Sequence, residues 1–131
     1  FVIQHRKHPA FDGVYDITSS SHQLFIDDKL QTTEEATFDC LKREWGLEKT
    51  DLSKLENLGA IYYKAKDEKS IYTEHEMCEI LVAEINVKPK PNLDFAYGFS
   101  LVDKQELQNK NSRTYENLAP WVKKMIEENK L

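Results

Sequence analysis

Two glutamates, Glu74 and Glu76, lie on either side of His75 in a stretch whose composition predicts a β-strand. Alternate residues of a strand point to the same side, so the two carboxylates are expected to project together. Like charges that close to each other are unfavourable unless a cation neutralises them. A divalent metal meets that need, because carboxylate oxygens are good ligands for hard cations. The pair is also open to a plainer interpretation, an edge strand with both acids in water.

Other residues could complete such a site. His22 lies in a polar loop, and an imidazole beside two carboxylates is a common ligand set for transition metals; a lone loop histidine is also often only solvated. Glu44 falls near the end of a predicted helix, where it is either a surface charge or a ligand. The remaining candidates are aromatic residues that could line a core or a pocket and basic residues that could hold a phosphate: Tyr63, Trp121, Arg6 and Lys7.

The clearest structural element is a helix that starts at a capping box. Thr32 and Glu35 are three residues apart, so each side chain can satisfy a free backbone N–H at the helix start. Gly46 fits a left-handed cap at the other end. Between them, apolar residues at steps of three and four predict one buried face: Phe38, Leu41 and Trp45.

Strands and further helices complete the predicted order. Apolar and β-branched stretches predict strands over residues 1–5, 14–18, 58–65, 72–85 and 95–101, and helices are predicted from 103 and over 118–130. The order β-β-α-β-β-β-α-α predicts an α/β or α+β fold, with a mixed sheet and helices packed on its faces. No linker, repeat or low-complexity run interrupts the chain, so residues 1–131 predict a single domain.

The composition excludes several classes of protein. The chain has 131 residues, of which 40% are hydrophobic and 31% charged, as in soluble globular domains. Its formal net charge of -5 argues against general nucleic-acid binding. No run is apolar enough to span a membrane and no secretory signal is visible, so a cytoplasmic location is expected; the final Asn-Lys-Leu only faintly matches a peroxisomal address. Cys40 and Cys78 are expected to be buried free thiols.

Six short motifs occur in a fixed order along nearly the whole chain. They are Thr18-Ser19-Ser20-Ser21-His22, Lys42-Arg43-Glu44-Trp45-Gly46-Leu47, Ile61-Tyr62-Tyr63-Lys64-Ala65, Glu74-His75-Glu76-Met77, Pro91-Asn92 and Pro120-Trp121-Val122-Lys123. In that order they resemble motifs of the type 1 isopentenyl-diphosphate isomerases, which belong to the Nudix superfamily. The resemblance implies a Nudix-type fold and a small allylic or homoallylic diphosphate as the ligand.

The resemblance also implies roles for single residues. The family converts isopentenyl diphosphate to dimethylallyl diphosphate: one group protonates the alkene, and another removes a proton across the site. Glu76 is then expected to be the acid and a metal ligand, with Tyr63 assisting it. Glu74 and His22 are expected to be further ligands of that metal, Mn²⁺ or Zn²⁺, and Glu44 to hold a Mg²⁺ that bridges to the diphosphate.

The substrate contacts and the base follow from the same resemblance. Trp121 is expected to wall the pocket and to stabilise a carbocation-like transition state by a cation–π interaction, and Arg6 to contact the diphosphate. Ser20 stands where the family has its catalytic cysteine. A thiolate is a competent base, whereas a serine hydroxyl needs an activating partner. The replacement puts roughly 10²–10⁴-fold of general-base catalysis at risk.

Two other functions stay open. A Nudix hydrolase would need more carboxylates than this helix offers, because Asp39, Cys40 and Arg43 stand where the general Nudix box has Arg, Glu and Glu. A catalytically inactive Nudix-fold protein that binds or assembles with a protein partner fits Ser20 and a reduced ligand set. Two histidine ligands of the family fall before Phe1, so an N-terminal segment is expected to be absent from this chain.

Overall fold

The first strand is the centre of a three-stranded antiparallel sheet in the computed structural model, which describes all residues 1–131. Strand β1 pairs with β2 on one side and with β7 on the other. The register sets Gln4 opposite Asp16, and both side chains are buried. Polar groups are therefore enclosed in the middle of this sheet. The strands are β1 (Val2–Arg6), β2 (Tyr15–Ile17) and β7 (Ala96–Leu101).

A long hairpin forms a second sheet. Its register pairs Tyr63 with Glu76 and Ala65 with Glu74, which puts these four residues on one face. The same face carries Ile61, which is buried in the main core. The glutamates thus lie on the face of the hairpin that packs inward. The strands are β5 (Leu52–Lys66) and β6 (Thr73–Ile85).

The helix α1 (Thr33–Trp45) begins and ends as predicted. Thr32 and Glu35 form the capping box, in which the backbone N–H of each residue donates to the side chain of the other at 2.8 and 3.2 Å. Gly46 caps the helix with φ 65°, a left-handed conformation that glycine adopts at little cost. Trp45 is buried on the inner face and packs edge-on against Phe99 of β7.

Three short helices follow the last strand. The final one begins at Pro120, whose missing N–H costs nothing in the first turn. It buries a row of apolar side chains in the main core: Trp121, Val122, Met125 and Ile126. The helix before it, over Arg113–Asn117, was not predicted as a separate element. The helices are α2 (Lys104–Gln108), α3 (Arg113–Asn117) and α4 (Pro120–Glu127).

The connection between β2 and α1 contains a small hairpin that the sequence did not predict. Two-residue strands, β3 (Phe25–Ile26) and β4 (Lys29–Leu30), pair across a turn at Asp27 and Asp28. Both turn residues have positive φ, 49° and 60°, which aspartate tolerates better than most residues. All four strand residues are exposed, so the hairpin stands clear of the core.

The predicted α+β class is confirmed, and the combination of helices and antiparallel sheets is consistent with a Nudix-type fold. Every paired strand is antiparallel, and the one parallel contact is an isolated bridge between Tyr15 and Leu118. No helix has both the length and the apolar character needed to cross a membrane. Both cysteines are free, with Cys40 buried and Cys78 half-buried.

Candidate active site

A single buried carboxylate, that of Asp16 on β2, joins three of the side chains that the sequence singled out. Its Oδ2 receives the Ser20 hydroxyl at 2.8 Å and the Arg6 guanidinium at 3.3 Å. Its Oδ1 receives the Trp121 indole N–H at 2.7 Å and its neighbour's backbone N–H, that of Ile17, at 2.8 Å. Asp16 has 0% exposure. Ser20, Arg6 and Trp121 therefore meet at one group, which the sequence reasoning missed.

Competing effects act on this carboxyl. Burial is the largest and raises the pKa of Asp16, because the charged form loses its hydration. The Arg6 guanidinium and the hydrogen bonds from Trp121 and Ser20 act in the opposite direction and offset part of that rise. The carboxyl is thus a stronger proton acceptor than an exposed aspartate.

The loop that carries Ser20 is held from both sides. Thr18 has φ 34°, a left-handed value that is strained for a β-branched residue, by about 1–3 kcal/mol. Two contacts with α1 fix the turn: the Trp45 indole N–H donates to the Thr18 carbonyl at 2.9 Å, and the Cys40 thiol lies 3.6 Å from the Ser20 carbonyl. This bend aims the Ser20 hydroxyl back at Asp16.

A second cluster lies on the hairpin face. The Tyr63 hydroxyl donates to Glu74 at 2.7 Å and also lies 3.2 Å from Glu76. A hydroxyl has one hydrogen, so it can serve only one carboxylate at a time. The Nε2 atom of His22 lies 2.6 Å from the other oxygen of Glu76. The structure thus confirms that strand alternation brings the two glutamates together, and it connects them through Tyr63.

The two ends of this cluster differ in solvent access. Tyr63 is buried, and burial followed by the hydrogen bond to Glu74 raises its pKa well above the usual range. The phenol therefore stays protonated at any ordinary pH. The His22 side chain is 72% exposed, whereas that of Glu76 is 29% exposed. Water therefore reaches the cluster at its His22 end, while the phenol end is enclosed.

The expected metal sites are not assembled in this arrangement. His22, Glu74 and Glu76 offer donor atoms that suit a divalent metal, but no group of three or more His, Cys, Asp or Glu side chains is placed to hold one. The Tyr63 hydroxyl lies between the two carboxylates, and His22 contacts only Glu76. The residues as placed do not fit the three-ligand site that the resemblance implied.

Glu44 does not join either cluster. It is buried at the end of α1, where its carboxylate accepts from the Gln4 amide at 3.0 Å and from the Arg43 guanidinium at 2.8 Å. The Arg43 guanidinium balances the charge of Glu44, and Glu44 belongs to no group of side chains placed to hold a metal. The predicted Mg²⁺ ligand is instead part of a buried polar contact between α1 and β1.

Trp121 connects the Asp16 cluster with the hairpin cluster. Its ring centroid lies 5.8 Å from that of Tyr63, and its N–H binds Asp16. The Arg6 guanidinium lies over the ring at 5.4 Å, and Phe11 packs edge-on against it at 5.3 Å. Arg6 has only 9% exposure and faces Asp16 and Trp121, whereas it was expected to contact a diphosphate.

A cavity of about 330 Å³ opens beside Tyr63 and the start of α4. Its polar walls carry more positive than negative charge, since three lysines and one glutamate line it: Lys64, Lys123, Lys124 and Glu127. A second cavity, of about 350 Å³, lies near Ile17 and is lined almost entirely by apolar residues. The basic cavity is therefore the one that adjoins the hairpin cluster.

No protein-family model matches the chain. The chain is 32% identical to isopentenyl-diphosphate Delta-isomerase 1 of mouse (Mus musculus), over an alignment of 124 residues. The alignment covers 87% of this chain and 54% of the mouse protein, so the chain spans about half the length of that relative. This identity supports the similarity to isopentenyl-diphosphate isomerases that the motifs indicated.

Proposed function

We propose that this chain is an isopentenyl-diphosphate isomerase-like domain that interconverts isopentenyl diphosphate and dimethylallyl diphosphate. The observation that carries the proposal is the meeting of two proton-handling clusters at Trp121. Moving a double bond by one position needs a proton delivered at one carbon and another removed nearby, so an acid and a base must act on one bound alkene. The similarity to the mouse isomerase supports the same reaction.

The hairpin cluster suits the acid. Glu76 is half-buried and lies beside Tyr63 and His22. In its protonated form, Glu76 would deliver a proton to the terminal methylene of the alkene, and Tyr63 would hold the carboxyl in place. His22 is exposed and in contact with Glu76, so it would return a proton from water after each turnover.

The Asp16 cluster suits the opposite step. Protonation leaves positive charge on the branched carbon. Trp121 was expected to stabilise that charge, but Arg6 already lies over its ring at 5.4 Å and Trp121 is only 3% exposed, so no cation–π contribution to the substrate is assigned to it. Ser20 would then remove the proton from the neighbouring methylene. Arg6 cannot take part as first expected, because its guanidinium is engaged with Asp16. The lysine-lined cavity beside Tyr63 is the better place for the diphosphate.

The metal dependence implied by the resemblance stays a prediction. It comprises a Mg²⁺ ion bridging to the diphosphate and a second ion, Mn²⁺ or Zn²⁺, at His22, Glu74 and Glu76. Because the residues as placed do not form that set, the proposed proton transfers use protein side chains alone. Adding each metal separately in the assay tests the dependence directly.

A non-catalytic binding protein is the second candidate. It is favoured by the way in which Arg6, Asp16 and Trp121 satisfy one another in the interior. A Nudix hydrolase has less support, because Glu44 is the one carboxylate of that box that remains and Arg43 already neutralises it. The two candidates differ in one property, turnover of isopentenyl diphosphate.

The experiment follows formation of dimethylallyl diphosphate by the full chain, with and without Mg²⁺ and with Mn²⁺ or Zn²⁺. Glu76→Gln keeps the size of the side chain and removes the acid, so it should abolish turnover. Glu84→Gln is the matched control, since Glu84 lies on the same strand in an exposed ion pair with Lys54. Turnover that survives in Glu76→Gln would contradict the assigned acid. Bound substrate without turnover, in the original chain and in Ser20→Cys, would favour the binding protein.

A further inference from the structure

We propose that Asp16 is a positioning residue that makes Ser20 competent as the base, by accepting the hydroxyl proton of Ser20 while that oxygen removes a proton from the substrate. The inference rests on the proposed isomerase function and deepens it. No motif in the sequence marked Asp16. The structure brings it into contact with the one residue that departs most from the resemblance.

The geometry of the carboxylate supports this role. Oδ1 is occupied by two N–H donors, from Trp121 and from the backbone of Ile17, so the carboxylate is fixed in rotation. Oδ2 is turned toward Ser20 at 2.8 Å, a short and direct hydrogen bond. Ser20 has a single hydroxyl hydrogen, and it points at Asp16. The Ser20 oxygen keeps its lone pairs for another partner, and its residue is partly exposed.

The proton transfer balances over one turnover. The C–H bond of the methylene next to the cationic carbon breaks, and its electron pair becomes the new double bond. The released proton goes to Ser20 Oγ, and the original hydroxyl proton moves to Asp16 Oδ2. Ser20 is partly exposed, so the proton returns from Asp16 through Ser20 to water. At the acid end, His22 and Glu76 take up one proton from water, which restores the starting state.

Three elements contribute groups that face Asp16. Arg6 from β1 is the one positive group against it, at 3.3 Å. Trp121 from α4 is neutral. Cys78 from β6 also faces it, and burial raises the pKa of that thiol to about 11, so it stays uncharged at neutral pH. Burial raises the pKa of Asp16 itself, which strengthens its capacity to take a proton.

A purely structural role for Asp16 predicts a different pattern in a double-mutant cycle. Asp16→Asn is made in the original chain and in Ser20→Cys. A thiol ionises without a carboxylate partner, so its activity should depend little on Asp16. We expect Asp16→Asn to lower kcat by about 10²–10⁴-fold beside Ser20, and by less than about tenfold beside the thiol, with KM little changed in both. Both assays are run below the melting temperature of each variant.

Four outcomes decide the matter. A similar loss of kcat in both backgrounds would overturn the role of Asp16 and leave the isomerase function standing. Turnover only in Ser20→Cys would also overturn it, because the serine would then be incompetent with Asp16 in place. No turnover in any protein would overturn the proposed function and this inference with it. A loss confined to the Ser20 background would support both.

A second measurement covers the case in which Asp16→Asn does not fold. The pH dependence of kcat is compared between the original chain and Ser20→Cys. Glu76 is the acid in both proteins, so the ratio of kcat in Ser20→Cys to kcat in the original chain is the quantity that reports on the base. If Ser20 acts through Asp16, this ratio should rise with pH toward the thiol pKa near 8.5, because only the thiol gains active base over that range. Coinciding profiles would contradict the role of Asp16.

Discussion

Replacing Asp16 by Asn is the most informative change to the stability of this fold. Asn has the same shape, so the variant changes charge and hydrogen-bonding capacity without opening a cavity. An amide oxygen at the position of Oδ1 can still accept from Trp121 and Ile17. The amide nitrogen at the position of Oδ2 then faces Arg6, where a donor meets a donor. The substitution therefore removes the buried charge contact with Arg6 together with the acceptor of the Ser20 hydroxyl.

The magnitude follows from burial. Arg6 is 9% exposed and Asp16 has no exposure, so water cannot replace the lost partner. Removing one member of a buried ion pair typically costs about 3–5 kcal/mol, because the other charge is left uncompensated. For a domain of this size, that corresponds to a fall in melting temperature of roughly 10–25 °C. Such a loss is a large part of the 5–15 kcal/mol that typically holds a folded domain together.

Urea denaturation, followed by tryptophan fluorescence, measures the free energy of unfolding. The matched control is Asp28→Asn, the same chemical change in an exposed turn with a positive φ that Asn also adopts, and it should cost less than about 0.5 kcal/mol. The double variant Arg6→Met with Asp16→Asn removes the stranded charge and should recover part of the loss. A cost below about 1 kcal/mol for Asp16→Asn alone would refute the view that Asp16 anchors this part of the core.

Three further predictions concern other parts of the molecule. Hydrogen bonds from Ser70 and from two backbone N–H groups hold the pKa of Asp67 below its usual range. Its ionised form therefore stabilises the fold above about pH 4, and this stabilisation is lost as the pH falls through the folded-state pKa. The melting temperature of Asp67→Asn should fall less steeply with acid than that of the original chain, and parallel curves would contradict this. Thr32→Ala removes the cap of α1 and should cost about 1 kcal/mol in urea denaturation; no measurable cost would mean that the helix end does not depend on its cap. Burial raises the pKa of Cys40 and of Cys78 to about 11, so roughly one thiol in a thousand is ionised at pH 8. Mass spectrometry after alkylation should therefore find both cysteines largely unmodified. Rapid labelling of either cysteine would show that it is not protected.

The parts of the fold that could be predicted are those set by local rules. The capping box at Thr32 marks the start of α1, and the left-handed Gly46 marks its end. Both signals depend only on residues close to them in the sequence. The hairpin β3–β4 could not be predicted, because its residues are all exposed. Its sequence therefore lacks the alternation of buried and exposed residues that marks a strand packed on a core. The start of β5 was also missed, since irregular pairing interrupts its alternation near Ser53 and Asn57.

The same distinction applies to the site. Strand alternation was enough to place Glu74 and Glu76 on one face, because both lie on one regular strand. The sequence of β2 does not indicate the role of Asp16, because the strand has only three residues. The side chains that contact Asp16 come from other parts of the chain. The available signal was an acid between two apolar residues in a predicted strand. Such an acid must find partners when buried, and a search for them would have started with Arg6.

The competition between a metal and Tyr63 also lay beyond the sequence. Glu74 and Glu76 carry like charges, which a metal ion could offset. The phenol offers a different solution, because its hydroxyl donates to one carboxylate and lies within reach of the other. Which solution is realised depends on how the hairpin packs against α4. A pattern of residue types gives no measure of that packing.

The most direct test of the isomerase proposal is proton NMR of isopentenyl diphosphate incubated with the protein in deuterated water. If Glu76 and Ser20 act as proposed, deuterium will enter the new methyl group of dimethylallyl diphosphate and, through the reverse reaction, the methylene next to the branched carbon of the remaining substrate. Glu76→Gln should show neither. Unchanged spectra for both the original chain and Ser20→Cys, with every metal tried, would contradict the isomerase function.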